Sequence, residues 1–192
     1  MLYSVELRSR SREGSPTPSF ILFSPVHSAF LQCNCMKLIV KAIGKTHEPY
    51  VKEGVELFCK RLSHYFPVSW QLVPMPRHAG SLPPMALKEE ESKLLLQGIQ
   101  PDDYVVLLDE RGKMLNSEGF AQLVQQRANA ATRSLVFLIG GAYGVSVAVQ
   151  QRANFSWSLS PLVFPHQLVR LILAEQVYRA CTILQNEKYH HP

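Results

Sequence analysis

The chain has 192 residues and a mass of 21.7 kDa, room for one domain of ordinary size and at most a short appendage. With 46% hydrophobic and 18% charged residues it is not a disordered polypeptide, and its apolar run from Ser134 to Val149, broken by two adjacent glycines, falls short of the roughly 20 residues that span a bilayer. Its 20 Lys and Arg against 15 Asp and Glu give +5, and the excess lies in the C-terminal third, where Arg127, Arg133, Arg152, Arg170, Arg179 and Lys188 face only Glu175 and Glu187. That third is expected to touch any polyanionic partner.

Cys33, Cys35, Cys59 and Cys181 form no CxxC pair and no metal-ligand spacing. They read as free thiols of a reducing, cytoplasmic protein without a metal site. Residues 1 to 35 differ from the rest. Arg8, Arg10 and Arg12 alternate with serines, Ser15-Pro16-Thr17-Pro18 follows, and the apolar patch Phe20 to Phe23 is too short and too broken for a secretory signal. They are read as a disordered N-terminal extension, and residues 36 to 192 as a single domain.

Lys37 to Ile43 reads as a first strand, closed by a turn at Gly44-Lys45-Thr46. Tyr50, Val51, Val55, Phe58, Cys59 and Leu62 recur at helical spacing. Val68 to Val73 is a second strand, and a proline-rich loop leads to a charged helix over Lys88 to Leu96, which Gly98 stops. Tyr104 to Leu108 and Leu135 to Ile139 are continuous apolar runs, as in strands buried on both faces, with a helix from Ser117 to Ala131 between them. A short helix over Val145 to Ala153, a strand over Asn154 to Ser160 and a long helix over His166 to Gln185 complete the chain. Alternating strands and helices define an α/β fold with a parallel sheet covered on both faces.

Ligands of such sheets bind beyond the C-terminal strand ends, which directs attention to the loops after Leu108, Ile139 and Leu159. These read Asp109-Glu110-Arg111-Gly112-Lys113, Gly140-Gly141-Ala142-Tyr143-Gly144 and Ser160-Pro161-Leu162-Val163-Phe164-Pro165-His166. Paired glycines after a buried strand let the backbone approach a ligand closely. The spacing is neither GxGxxG nor a P-loop, which disfavours a dinucleotide or nucleoside triphosphate site. The last helix is apolar over more than one stripe, through Leu168, Leu171, Ile172, Val177, Cys181 and Leu184 with Val169, Leu173 and Ile183 beside them, so a homodimer is expected to cover the second face. Lys188-Tyr189-His190-His191 has the groups to stack on and hydrogen-bond an RNA base. His47, His64 and His78 lie in or beside turns or helix ends and read as structural.

From Met36 to Pro192 the chain resembles the SPOUT-class methyltransferases, in particular the family that methylates a pseudouridine of the large ribosomal subunit RNA, methyltransferase H. The resemblance rests on Phe137 to Gly144, Trp157-Ser158-Leu159-Ser160, Phe164 to Arg170, Glu175 to Ala180, and Tyr189-His190, in that order and spacing. It implies a C-terminal trefoil knot, which ordinary topology rules exclude. It also implies S-adenosylmethionine held at Leu108, Gly140, Leu159, Ser160, Pro161, Leu162, Val163 and Phe164, and a homodimer completing the substrate site. The implied reaction is methylation of N3 of a pseudouridine in 23S rRNA within the assembled ribosome, with Arg170, Tyr189 and His190 toward the RNA. Pro161-Leu162-Val163 departs from the commoner Met and Thr, and Pro161 supplies no N–H.

Attack by an imide nitrogen on a sulfonium methyl requires two positioned substrates and a departing proton. His190 or His191 can accept that proton; alternatively solvent takes it while Arg170 or Arg179 stabilises the imide anion. Two other functions are compatible with the fold class: a SPOUT enzyme acting on tRNA or a ribose 2′-hydroxyl, and a ribosome-binding protein without catalysis.

Overall fold

The computed structural model describes residues 36–45 and 48–189. The expectations for the extension before Met36, for His47 and for His190 and His191 fall outside these residues.

Five strands, β1 (Lys37–Ile43), β2 (Val68–Val73), β3 (Tyr104–Met114), β4 (Ser134–Ile139) and β5 (Phe155–Ser158), form one parallel sheet in the order β2-β1-β4-β3-β5. Five helices connect and cover them: α1 (Pro49–Leu62), α2 (Pro84–Leu96), α3 (Ser117–Asn129), α4 (Val147–Arg152) and α5 (His166–Leu184). The expected parallel α/β sheet is therefore present. Every residue of β4 is buried, which explains why its sequence shows no polar alternation.

The two-residue period of the strands sorts their side chains into two cores. Leu38, Val40, Ala42, Val106, Leu135, Phe137 and Ile139 meet Phe120, Leu173 and Val177 on the face covered by α1, α3 and α5. Ile43, Val105, Leu107, Val136 and Leu138 meet Leu95, Val145 and Val149 under α2 and α4. Cys181 is buried in the first core as a free thiol, and Cys59 is half-buried and free. Among the described residues no helix is long and apolar enough to cross a membrane.

Helix ends follow local chemistry. Pro49 and Pro84 open α1 and α2, where a missing N–H costs no intrahelical bond. Asn116 caps α3, its side chain accepting from Gly119 N–H at 2.9 Å. The largest departure from the sequence reading is β3, which runs six residues beyond Leu108. Its register with β5 jumps, so that Trp157 opposes first Leu108 and then Lys113. Gly112 permits the return: a Cβ there would lie 2.7 Å from the backbone of Ser156 and Trp157. Asp109 to Gly112 thus bulge at the sheet's C-terminal edge, with Asp109 Oδ1 accepting from Arg111 N–H at 2.9 Å.

Candidate active site at the strand ends

Leu108, Ile139 and Trp157 stand side by side where β4 and β5 end and β3 enters its bulge. A cleft of about 440 Å³ opens there, a size that suits a small-molecule ligand. One wall is Leu108 and the Asp109–Arg111 bulge, a second is the loop from Gly140 to Val145, and the third runs through Leu159, Ser160, Leu162, Val163 and Phe164 to His166 and Val169 of α5. Of the residues expected to hold the cofactor, Leu108, Gly140, Leu159, Ser160, Leu162, Val163 and Phe164 line this cleft; Pro161 does not.

The glycines serve the loop in a way the sequence did not reveal. A Cβ on Gly140 would lie 2.7 Å from Val145 Cγ1 and 3.3 Å from the Gly144 backbone, and one on Gly141 would run into Glu91 of α2. The missing side chains make room for protein atoms and let the loop pack tightly, with Gly140 and Gly141 in the cleft wall. Gly144, with φ +75° and open space where a Cβ would stand, closes the turn by donating its N–H to the Gly141 carbonyl at 3.0 Å.

Pro161 fits its turn. Ser160 Oγ accepts from Leu162 N–H at 3.0 Å, and the Ser160 carbonyl accepts from Ser158 Oγ at 3.0 Å. This local turn makes no use of the N–H that proline lacks. It leaves Leu162 and Val163 pointing out, 69% and 81% exposed, at the mouth of the cleft.

Arg170 is not part of the cleft wall. It is buried, and its guanidinium donates to the carbonyls of Ile43 at 2.9 Å and Lys45 at 3.1 Å. It ties α5 to the end of β1, one helical turn from His166, which does line the cleft. Desolvation and then the Arg170 charge hold the His166 imidazole below its ordinary pKa, so it is neutral at pH 7. The sequence places His166 at the start of the last helix and assigns it no role; at the first turn of α5 it lines the cleft.

Tyr189 lies away from this cleft in the same chain. Its hydroxyl donates to Glu175 Oε1 at 3.1 Å, its ring meets Tyr178 edge-on at 4.9 Å, and the Arg179 guanidinium covers it at 4.9 Å. Burial and Glu175 raise its hydroxyl pKa. Arg179 is itself paired with Glu175 at 2.6 Å.

Of the six cations in the C-terminal third Arg170 is buried, Arg127, Arg152 and Arg179 are half-buried, and Arg133 and Lys188 are exposed. Arg170 and Arg179 are engaged as described, Arg127 lies 4.6 Å from the Tyr104 ring centroid, and Arg152 donates to the Gln100 and Asp103 carbonyls. These contacts tie the four cations to the fold. Among the described residues no cluster of His, Cys, Asp or Glu could hold a metal ion.

A parallel sheet with a cleft of mixed polar and apolar lining, walled by three loops beyond its strands, is the arrangement of a small-molecule-binding α/β protein. A family model described as "Predicted SPOUT methyltransferase" matches residues 36–190, and the chain belongs to that family. It is 47% identical over 156 residues to the ribosomal RNA large subunit methyltransferase H of Cytophaga hutchinsonii, covering 81% of this chain and 100% of that one. It is 42% identical over 156 residues to the protein of the same name from Parabacteroides distasonis, covering 81% and 99%. Among solved structures, the probable methyltransferase from Bordetella pertussis Tohama I has a TM-score of 0.44 at 12% identity, over 77% of this chain and 94% of that one.

Leu108, Leu159, Leu162, Phe164 and Val169 supply apolar walls for an adenine and its sugar, and the glycine loop presents peptide groups rather than side chains. The residues present fit S-adenosylmethionine.

Proposed function

We propose that this protein methylates N3 of a pseudouridine in 23S rRNA of the assembled ribosome, using S-adenosylmethionine. The observation that carries the proposal is the convergence of Leu108, Gly140, Leu159, Ser160, Leu162, Val163 and Phe164 on one cleft in a SPOUT family member. The shared name of the C. hutchinsonii and P. distasonis relatives supports the RNA class of the substrate.

When bound, S-adenosylmethionine supplies an electrophilic methyl group. The chain's own residues do the rest. The apolar walls exclude water from the donor, and the turn at Ser158–Leu162 fixes the outer wall against which it rests. Positioning then converts a bimolecular encounter into a local one. His166, neutral and at the wall, is placed to hydrogen-bond a substrate. His190 and Arg170 are retained as candidates for easing proton loss from the imide. Arg170 would do so as a positioning residue through α5, given its buried place. Tyr189 and His190 are assigned to orient the target base.

The reading includes a homodimer and a C-terminal trefoil knot. Leu168 and Ile172 of α5 stay partly exposed and belong to neither core, and Leu162 and Val163 extend this apolar surface to the cleft mouth. A second copy that covered them would bring its own tail near this cleft, which accounts for the distance between Tyr189 and the cleft within one chain. The knot is supported by family membership. Residues 1 to 35 are proposed to be dispensable.

The experiment is methyl incorporation from labelled S-adenosylmethionine into ribosomes that lack the modification, with calorimetry of donor binding in parallel. Donor binding with site-specific incorporation is expected. Binding without incorporation on any ribosomal RNA would overturn the substrate assignment, and absence of binding would overturn the donor site.

A further inference from the structure

Behind the glycine loop, α2 presents two adjacent buried polar residues, each 2% exposed, Glu91 and Ser92. Ser92 Oγ accepts the N–H of Ser146 at 2.8 Å and so holds the far end of the loop. Glu91 lies against the near end: with no side chain on Gly141, its carboxyl packs onto the loop backbone, and a Cβ there would fall 2.9 Å from Glu91 Cδ. Neither residue lines the cleft; both touch the loop that does. Glu91 Oε2 is buried without a hydrogen-bond partner among the described residues.

The charges nearby are turned elsewhere. Lys41 of β1 donates to the Gln97 carbonyl, and Arg152 of α4 to the carbonyls of Gln100 and Asp103. On α2 itself Lys93 pairs with Glu90 at the surface, Glu89 is exposed and Lys88 half-exposed; the loop adds only Tyr143, which is exposed. A buried carboxylate without a cation is costly, whereas a neutral carboxyl is tolerated.

We infer that Glu91 is a positioning residue of the donor site: its buried carboxyl, seated beneath Gly141, holds the Gly140–Ser146 loop in the form that binds S-adenosylmethionine. The inference rests on the reading of the cleft as the donor site. Burial raises the Glu91 pKa above the ordinary carboxylate value. The sign follows. An acid whose pKa is raised in the closed form favours that form at low pH, and the contribution is lost as pH rises from the ordinary carboxylate value through the raised one. Ionisation of Glu91 in this buried place carries a desolvation cost, which disfavours the closed loop against which the carboxyl is packed.

The test compares wild type, Glu91→Gln and Glu91→Ala, with donor affinity measured by calorimetry from about pH 5 to about pH 9 and melting temperatures recorded alongside. If only the neutral form binds, wild-type affinity falls by up to about tenfold per pH unit above the Glu91 pKa. Glu91→Gln is expected to keep the low-pH affinity and lose that fall, and Glu91→Ala to bind more weakly throughout. Parallel pH profiles for wild type and Glu91→Gln, or equal affinity in all three, would overturn the inference. Should wild type fail to bind the donor at any pH, the donor-site reading fails, and amide hydrogen exchange then decides the role of Glu91. Protection of the Gly144 and Ser146 amides should fall with pH in wild type and stay level in Glu91→Gln; equal protection in both would refute the loop-positioning role.

Discussion

The Arg170 guanidinium donates to the Ile43 carbonyl at 2.9 Å, joining the last long helix to the end of the first strand across more than a hundred residues of sequence. Gly44, at φ +127°, makes the approach possible, since a Cβ there would stand 3.0 Å from Arg170 Nη2. Arg170, expected from the sequence to lie toward the RNA, thus has a structural task.

Removing it leaves the carbonyls of Ile43 and Lys45 without this donor. Arg170→Ala is therefore expected to lower stability by about 2–4 kcal/mol, since buried charge-assisted bonds contribute about 1.5–3 kcal/mol and an unpaired carbonyl adds its desolvation cost. Denaturant melts of the variant check this. An unchanged melt with methyl transfer lost would instead place Arg170 directly in the chemistry.

Gly140 offers a cleaner test of the loop. Because its missing Cβ faces Val145 Cγ1 at 2.7 Å, Gly140→Ala should cost about 1–3 kcal/mol through overpacking and weaken donor binding. Trimming the neighbour relieves the contact, so Gly140→Ala with Val145→Ala should recover part of both losses, a coupling that a double-mutant cycle reads directly. Additive effects would show that the glycine is needed for some other reason.

Trp157 provides a reporter. It stacks on Phe120 with centroids 4.0 Å apart and planes 14° from parallel, and it lines the cleft. The chain's other tryptophan is Trp70 in β2, at the far edge of the sheet. Donor titration is expected to change the intrinsic fluorescence, and the change should vanish in Trp157→Phe while persisting in Trp70→Phe. Trp157→Phe keeps the stack and should remain folded, whereas Trp157→Ala should cost about 3–5 kcal/mol.

The legible part of this molecule was what repeats or runs. β1 and β2 and the extent of α5 follow from apolar patterning, and β4 from an unbroken apolar run. The cleft loops could be located because ligand sites in such sheets occur after strands. What escaped was set by long-range contact. β3 extends past Leu108 because Gly112 meets β5, a partnership invisible in the polar Asp109–Lys113 stretch. Glu91 sits in a charged run, Glu89-Glu90-Glu91, that reads as a solvated helix face, yet only its third member turns inward. The arginines of the C-terminal third looked like a basic surface because sequence counts charges without showing their carbonyl, ring and carboxylate partners.

The tail gives the last prediction. Tyr189 is held to α5 by its bond to Glu175, its edge contact with Tyr178 and the covering Arg179, while Glu187 just before it accepts from the Tyr65 hydroxyl at 2.7 Å. Truncation after Glu187 therefore preserves the Tyr65 anchor and removes the aromatic and imidazole groups assigned to the target base. No cleft wall is lost, so donor affinity should stay within about twofold, whereas methyl transfer to unmodified ribosomes should fall by at least about a hundredfold, the scale on which misplaced substrates lose rate. Tyr189→Phe keeps the ring and loses the Glu175 bond, and is expected to fall between wild type and the truncation. Arg170 is buried and Arg133 and Arg179 each lie beside a carboxylate, which limits the phosphates this third can neutralise, and binding to protein-free rRNA should be weak with a shallow salt slope. Methyl transfer and donor binding measured in parallel on ribosomes and on protein-free rRNA decide the matter: equal transfer by the truncated and full chains would show the tail to be idle, and efficient methylation of protein-free rRNA would show that the assembled particle is not needed.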